Sequence, residues 1–257
     1  MKKYTTLIFF VFIATISFAQ TVYVAAPSGL KLRRTADAKA EVIKTLIYGA
    51  KLDYIADAEP KVAHKTKEAE GFYLNGFWQK VVAGKDTGYV FDAFLLPFKP
   101  FTTSEYEAYD DEISRKCKQP ELHLLEHWFG KDGEVYDLIK YTGEDTVYLT
   151  DKTNPYCQQA YKIAFDNNKV IYEFAAYSRI AGTDLTGYNQ VTFKGYNINT
   201  VYALVLGYTF IANQDVVKST YKNNTITIEG TVDGFGCSST IAIKGDKIVW
   251  KINCWGC

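Results

Sequence analysis

"STIAIKGDKIVWKINC", residues 239–254, decides the architecture of the C-terminal half. With Gly245-Asp246 as a two-residue turn, Ile241, Ile243, Ile248, Trp250 and Ile252 share one face of a hairpin. Ser238, Thr240, Lys244, Lys247, Lys251 and Asn253 share the other. One apolar and one polar face is the pattern of an antiparallel pair lying on a core. The same register sets Cys237 opposite Cys254 as a non-hydrogen-bonded pair, whose spacing suits a disulfide.

Two further hairpins can be tested by register. With Asn167-Asn168 as a turn, Tyr161, Ile163 and Phe165 face Phe174, Tyr172 and Val170, and Lys162 lies opposite Glu173. With Asn223-Asn224 as a turn, Tyr221 faces Ile226 and Lys218 faces Glu229. Asn tolerates the positive φ that such turns require. A fourth hairpin is expected around Gly143-Glu144 in "VYDLIKYTGEDTVYLT". Residues 119–257 therefore read as an antiparallel meander of about eight to eleven strands, which must bury one face. The expectation is an all-β protein in which this sheet curls into a barrel, with a sandwich as the alternative.

Upstream, "LLPFKPF" carries Pro97 and Pro100 and reads as a linker. "TTSEYEAYDDEISRKCK" follows, with acidic residues early and Arg115, Lys116 and Lys118 late, the polarity of a short helix. Residues 99–118 are thus a linker and connecting helix. Residues 21–98 consist of short β-runs broken by turn residues, the pattern of a small barrel.

Within that segment, "SGLKLRR", "EVIKTLIYGAKLDYI", "GFWQKV" and "TGYVFDAFL" occur in order. The stretch resembles the bacterial SH3 domain, with Arg33, Gly49, Trp78, Val81, Gly88, Tyr89, Val90 and Leu95 on the family pattern. It departs from the pattern in "TADAKA", where a Pro is usual, and in a loop lengthened by "EPKVAHKTKEAEGFYLNG", residues 59–76. The resemblance implies a small barrel that tethers the chain to cell-wall peptide or an envelope protein, without chemistry of its own. Arg33, Trp78, Tyr89 and Phe91 are then the candidate ligand-binding residues, each weighed against a purely structural part in barrel packing or backbone hydrogen bonding.

Composition narrows the classes of function. Residues 1–19, with Lys2 and Lys3 before "LIFFVFIATI" and small residues at Ser17 and Ala19, read as an export signal cleaved near Ala19-Gln20. The expected location is periplasmic or secreted, with no membrane insertion of the mature chain. The whole chain has 29 basic and 29 acidic residues, and losing Lys2 and Lys3 leaves the acidic ones two in excess. No electrostatic footprint for nucleic acid follows. Five cysteines, Cys117, Cys157, Cys237, Cys254 and Cys257, all lie downstream of residues 21–98 in a chain expected to meet oxidising conditions.

One stretch argues for chemistry. "ELHLLEHWFG", residues 121–130, holds His123, Glu126 and His127 in the order of the inverted zinc-peptidase signature. His123 and His127 are weak metal candidates. The family would draw a third ligand from the region of "NINTVYALVLGYTF", residues 197–210, which has no acidic residue, and Glu173 and Glu229 flank it. No His follows Cys157, Cys237, Cys254 or Cys257 to make a nucleophilic pair, and "CWGC" ends the given sequence before any helix that could lower a thiol pKa. The expectation is a non-enzymatic binding protein without cofactor, its second domain braced by a Cys237–Cys254 disulfide. A small-molecule carrier and a zinc peptidase are the alternatives.

Overall fold

In a computed structural model, residues 20–55, 61–106, 120–130, 135–137, 160–177, 186–213, 217–230 and 236–255 are described. The expected hairpin at Gly143-Glu144, residues 1–19, most of the connecting helix, and Cys117, Cys157 and Cys257 lie outside them.

The first sheet contains β1 (Thr21–Val24), β2 (Leu30–Arg33), β3 (Val42–Leu46), β4 (Lys51–Tyr54), β5 (Val62–Ala69), β6 (Phe72–Ala83), β7 (Asp86–Phe91) and β8 (Leu95–Leu96). Its order is β3-β2-β7-β6-β4-β1-β8, with β5 added beside β6. A 3-10 turn, Asp92–Phe94, joins β7 to β8. The stretch expected to be a lengthened loop is instead the β5–β6 hairpin, turned at Gly71 with φ 78°.

The second sheet contains β9 (Val135–Asp137), β10 (Ala160–Phe165), β11 (Val170–Tyr177), β12 (Thr186–Lys194), β13 (Val217–Lys222), β14 (Thr225–Gly230), β15 (Gly236–Lys244) and β16 (Lys247–Trp255), in the order β13-β14-β15-β16-β12-β11-β10-β9. The three expected registers hold: Ile163 opposite Tyr172, Tyr221 opposite Ile226, and Ile241 opposite Trp250. Asn167, Asn168, Asn223 and Asn224 all have φ between 51° and 64°. Lys162 reaches Glu173 at 3.1 Å. Ile241, Ile248, Trp250 and Ile252 are buried as the alternation requires, whereas Ile243, next to the turn, is 44% exposed.

The barrel expectations fail for both sheets. Among the described residues no pairing joins β3 to β8, or β13 to β9, so each ladder remains open. The physical reason is helical. α1 (Pro120–Phe129) precedes β9, and α2 (Ile198–Asn213) carries the chain from β12, across the sheet face, to the far edge at β13. A sheet covered by a helix buries its apolar face without curling onto itself. The protein is mostly β, with two antiparallel sheets and short helices between them.

α2 was not expected. It is apolar on nearly every side, and a helix of that kind is a buried one. One side meets β13–β16, where Tyr208 packs on Trp250 with ring centroids 5.1 Å apart; the other meets the 3-10 turn and β8. Phe72, Leu74, Trp78, Leu96, Tyr202, Leu204, Ile226 and Trp250 consequently belong to one continuous core. A second, smaller core built on Leu32, Leu52, Val81 and Val90 lies within the first sheet.

Asn213 closes the helix. Its Nδ2 donates to the carbonyls of Thr209 and Cys237 at 2.6 and 3.0 Å, and its Oδ1 accepts from the Cys237 N–H at 2.9 Å. Cys237 faces Cys254 in the ladder and is not a free thiol, while Cys254 is described by its backbone alone. The disulfide-braced domain is corrected accordingly: no complete cystine stands among the described side chains, and the helix-covered core holds the second sheet.

Candidate functional site

The metal motif folds as a helix, with Pro120 in the first turn, where its missing N–H is of no consequence. His123 and His127 do share a face. Phe101, 3% exposed, makes T-shaped contacts with both imidazoles, with centroids at 5.4 and 5.3 Å. His127 Nε2 donates to the Lys99 carbonyl at 3.3 Å. Among the described residues no three His, Cys, Asp or Glu side chains converge as a metal group would need.

The four residues drawn from the SH3 resemblance separate into two pairs. Trp78 and Phe91 come together but are 7% and 5% exposed, and His64 lies against both rings at 5.0 and 4.9 Å. Arg33 and Tyr89 are ladder partners elsewhere, and the Arg33 guanidinium donates to the Ala40 carbonyl at 2.7 Å.

A different set of residues forms a cleft. The loop between β1 and β2, the strand β5, α2 and the edge strand β13 meet around about 270 Å³, near the small end of ligand pockets. Its walls are Pro27, Leu206, Phe210 and Val217, and its polar groups are Ser28, Glu68, Tyr202 and Ser219. Tyr202, Leu206 and Phe210 stand four residues apart, one stripe of α2.

Glu68 arrives there through a β-bulge. Lys67 pairs with Tyr73 and Ala69 with Phe72, which leaves Glu68 as the extra residue of β5. Bulges re-aim one side chain at the expense of a ladder position. The Tyr202 hydroxyl donates to Glu68 Oε2 at 3.2 Å and stands 2.9 Å from Ser219 Oγ. Since the phenol's one proton goes to the carboxylate, Ser219 donates to the phenol oxygen. Burial pushes the Glu68 carboxyl above its ordinary range, opposed by the Tyr202 hydrogen bond. Burial also raises the Tyr202 phenol, the Ser219 hydrogen bond opposing it and the Glu68 charge adding to it, so Tyr202 remains a neutral donor. Tyr202 is Glu68's one hydrogen-bond partner among the described residues, and Glu68 Oε1 has no protein donor there.

Neither Glu68 nor Tyr202 stood out in the sequence. The usable signals were Glu70-Gly71 as a hairpin turn, and an apolar run in residues 198–213 too long for one strand.

Among the described residues no helix is long and apolar enough to cross a membrane. No protein-family model, curated protein or solved structure matches the chain. The expectation of a bacterial SH3 tether to wall peptide is withdrawn with that result: no match supports it, and two of its four ligand residues are sealed in the core.

Proposed function

We propose that this protein binds a small amphiphilic cation, an amine or guanidine on an apolar body, in the cleft between α2, β5 and β13. The observation that carries the proposal is Glu68, a half-buried carboxylate delivered by a bulge to the polar end of an apolar cleft, with one oxygen held by Tyr202 and the other open. A buried carboxylate without a counter-charge is costly to a fold, and a cationic ligand supplies that charge. Leu206, Phe210 and Val217 then cover the ligand's apolar body, and Ser219 offers a further acceptor.

Calorimetry with hexylamine, hexanoate and hexanol tests this. Hexylamine is expected to bind at neutral pH and hexanoate not at all. Glu68→Gln removes a charge-assisted hydrogen bond of about 1.5–3 kcal/mol, weakening hexylamine by about tenfold or more. Binding fades as pH falls through the raised Glu68 pKa. Equal affinity of the three probes, or an unchanged hexylamine affinity in Glu68→Gln, refutes the proposal.

A further inference from the structure

At the N-terminal end of α2, a second cleft, sharing no lining residue with the first, opens beside β6 and the 3-10 turn. It measures about 180 Å³, room for about six water molecules at ~30 Å³ each. Asn75 and Phe77 of β6, Asp92 of the 3-10 turn, and Asn197, Asn199 and Thr200 line it.

Its construction is specific. The Asp92 carboxylate tucks over Gly76, where a Cβ would stand 2.3 Å from Oδ1, and that oxygen accepts the Phe77 N–H at 2.8 Å. Only glycine at position 76 leaves the carboxylate this seat. Asp92 Oδ2 has no side-chain donor among the described residues. Asn199 is pinned by Nδ2 donating to the Asn75 carbonyl at 2.6 Å, and Asn197 Oδ1 accepts the Asn199 N–H at 2.8 Å. This leaves Asn199 Oδ1 as an acceptor, Asn197 Nδ2 as a donor and the Thr200 hydroxyl as both. Phe77, 42% exposed, supplies an apolar ring at the rim.

Charge selects the class of ligand from both directions. An anion is opposed by the Asp92 carboxylate. A cation is opposed by the first-turn N–H groups of α2, the positive end of its dipole, and by the nearby Lys61 charge. A neutral ligand that both gives and accepts hydrogen bonds and carries C–H surface for an aromatic ring meets neither opposition. We infer that this cleft is a binding site for a neutral polyhydroxylated ring, a single saccharide unit, whose hydroxyls engage Asp92, Asn197, Asn199 and Thr200 while its carbon face rests on Phe77.

The test is titration of the full chain, followed by backbone amide NMR, with methyl β-glucoside and methyl N-acetyl-β-glucosaminide, and with phosphate and methylammonium as charged controls. A glycoside should shift the amides of Gly76, Phe77, Asn199 and Thr200 with millimolar affinity, and neither charged probe should. Phe77→Ala and Thr200→Val should each weaken glycoside binding by roughly fivefold, with Thr200→Val serving as the variant least exposed to misfolding. Glu68→Gln should leave glycoside binding unchanged, which separates this site from the amine cleft. Absence of glycoside shifts, stronger shifts with either ion, or loss of glycoside binding in Glu68→Gln overturns the inference.

Discussion

Glu68 works against the fold that holds it, and that opposition can be measured. Its folded pKa lies above the unfolded value because burial disfavours the charge. For such a group the stabilising contribution is fully present below the unfolded pKa, near 4.5, and is lost as pH rises through the folded pKa. Glu68→Gln keeps an oxygen for Tyr202 while removing the charge. Urea melts should therefore show the variant more stable than the natural protein at pH 7, with the gap closing as pH falls below the unfolded pKa and Glu68 becomes protonated in both states. A variant less stable at pH 7 would mean that the carboxylate is a structural anchor. Glu105 has the opposite sign. Burial acts to raise it, but hydrogen bonds from Lys99 and Thr102 outweigh this and hold it at about 2. Its contribution is present above its unfolded pKa and declines as pH falls toward 2. Thr102 and Glu105 form a reciprocal capping pair, the Thr102 N–H donating to Glu105 Oε2 and the Glu105 N–H to Thr102 Oγ1, and residues 103–106 begin as helix there.

Among the elements, α2 sets the form of the molecule, and Gly207 sets how closely it can approach the first sheet. A Cβ at 207 would stand 2.5 Å from the Tyr48 hydroxyl. Gly207→Ala gains about 1 kcal/mol of helix propensity but overpacks a buried contact at a cost of about 1–3 kcal/mol, so a net loss near 1 kcal/mol is expected. Tyr48→Phe removes the clashing oxygen and should recover part of that loss, giving a coupling energy in a double-mutant cycle; strictly additive effects would place Tyr48 elsewhere. The sequence concealed this helix for a physical reason. "INTVYALVLGYTFIAN" is rich in Val, Ile, Tyr, Thr and Phe, all residues that favour strands, and it is covered on both sides, so no polar face marks a 3.6-residue period. The hairpins of the second sheet were legible because each has one wet face and an Asn-Asn or Gly-Asp turn. The candidate cleft was hidden for both reasons at once: one wall is that helix, and the other depends on a bulge that no alternation pattern announces.

At the scale of the whole molecule, the question is whether the two sheets unfold separately or together. β6 spans twelve residues, with Phe72, Leu74 and Trp78 in the large core and Val81 and Ala83 in the small one. Loss of either core thus frays a strand on which the other depends. α2 ties the second sheet to the same large core from the opposite side. A chain of this length often populates intermediates, but among the described residues β6 and α2 each bridge the buried surface. Tryptophan fluorescence, which reports four tryptophans, among them Trp78, Trp128 and Trp250 in three different elements, should therefore change at the same urea concentration as far-UV circular dichroism. Leu204→Ala, in the buried stretch of α2 at 1% exposure, should lower stability by about 2–5 kcal/mol and move both signals together. Two resolved transitions, with only one displaced by Leu204→Ala, would show that the first sheet stands on its small core alone and that α2 belongs energetically to the second sheet. In that event, both clefts would lie at a seam able to open, and ligand at either one would raise the midpoint of the Leu204→Ala transition alone. In a single cooperative unit, hexylamine or a glycoside bound to the native state should raise the one common midpoint, by an amount set by its concentration relative to its dissociation constant.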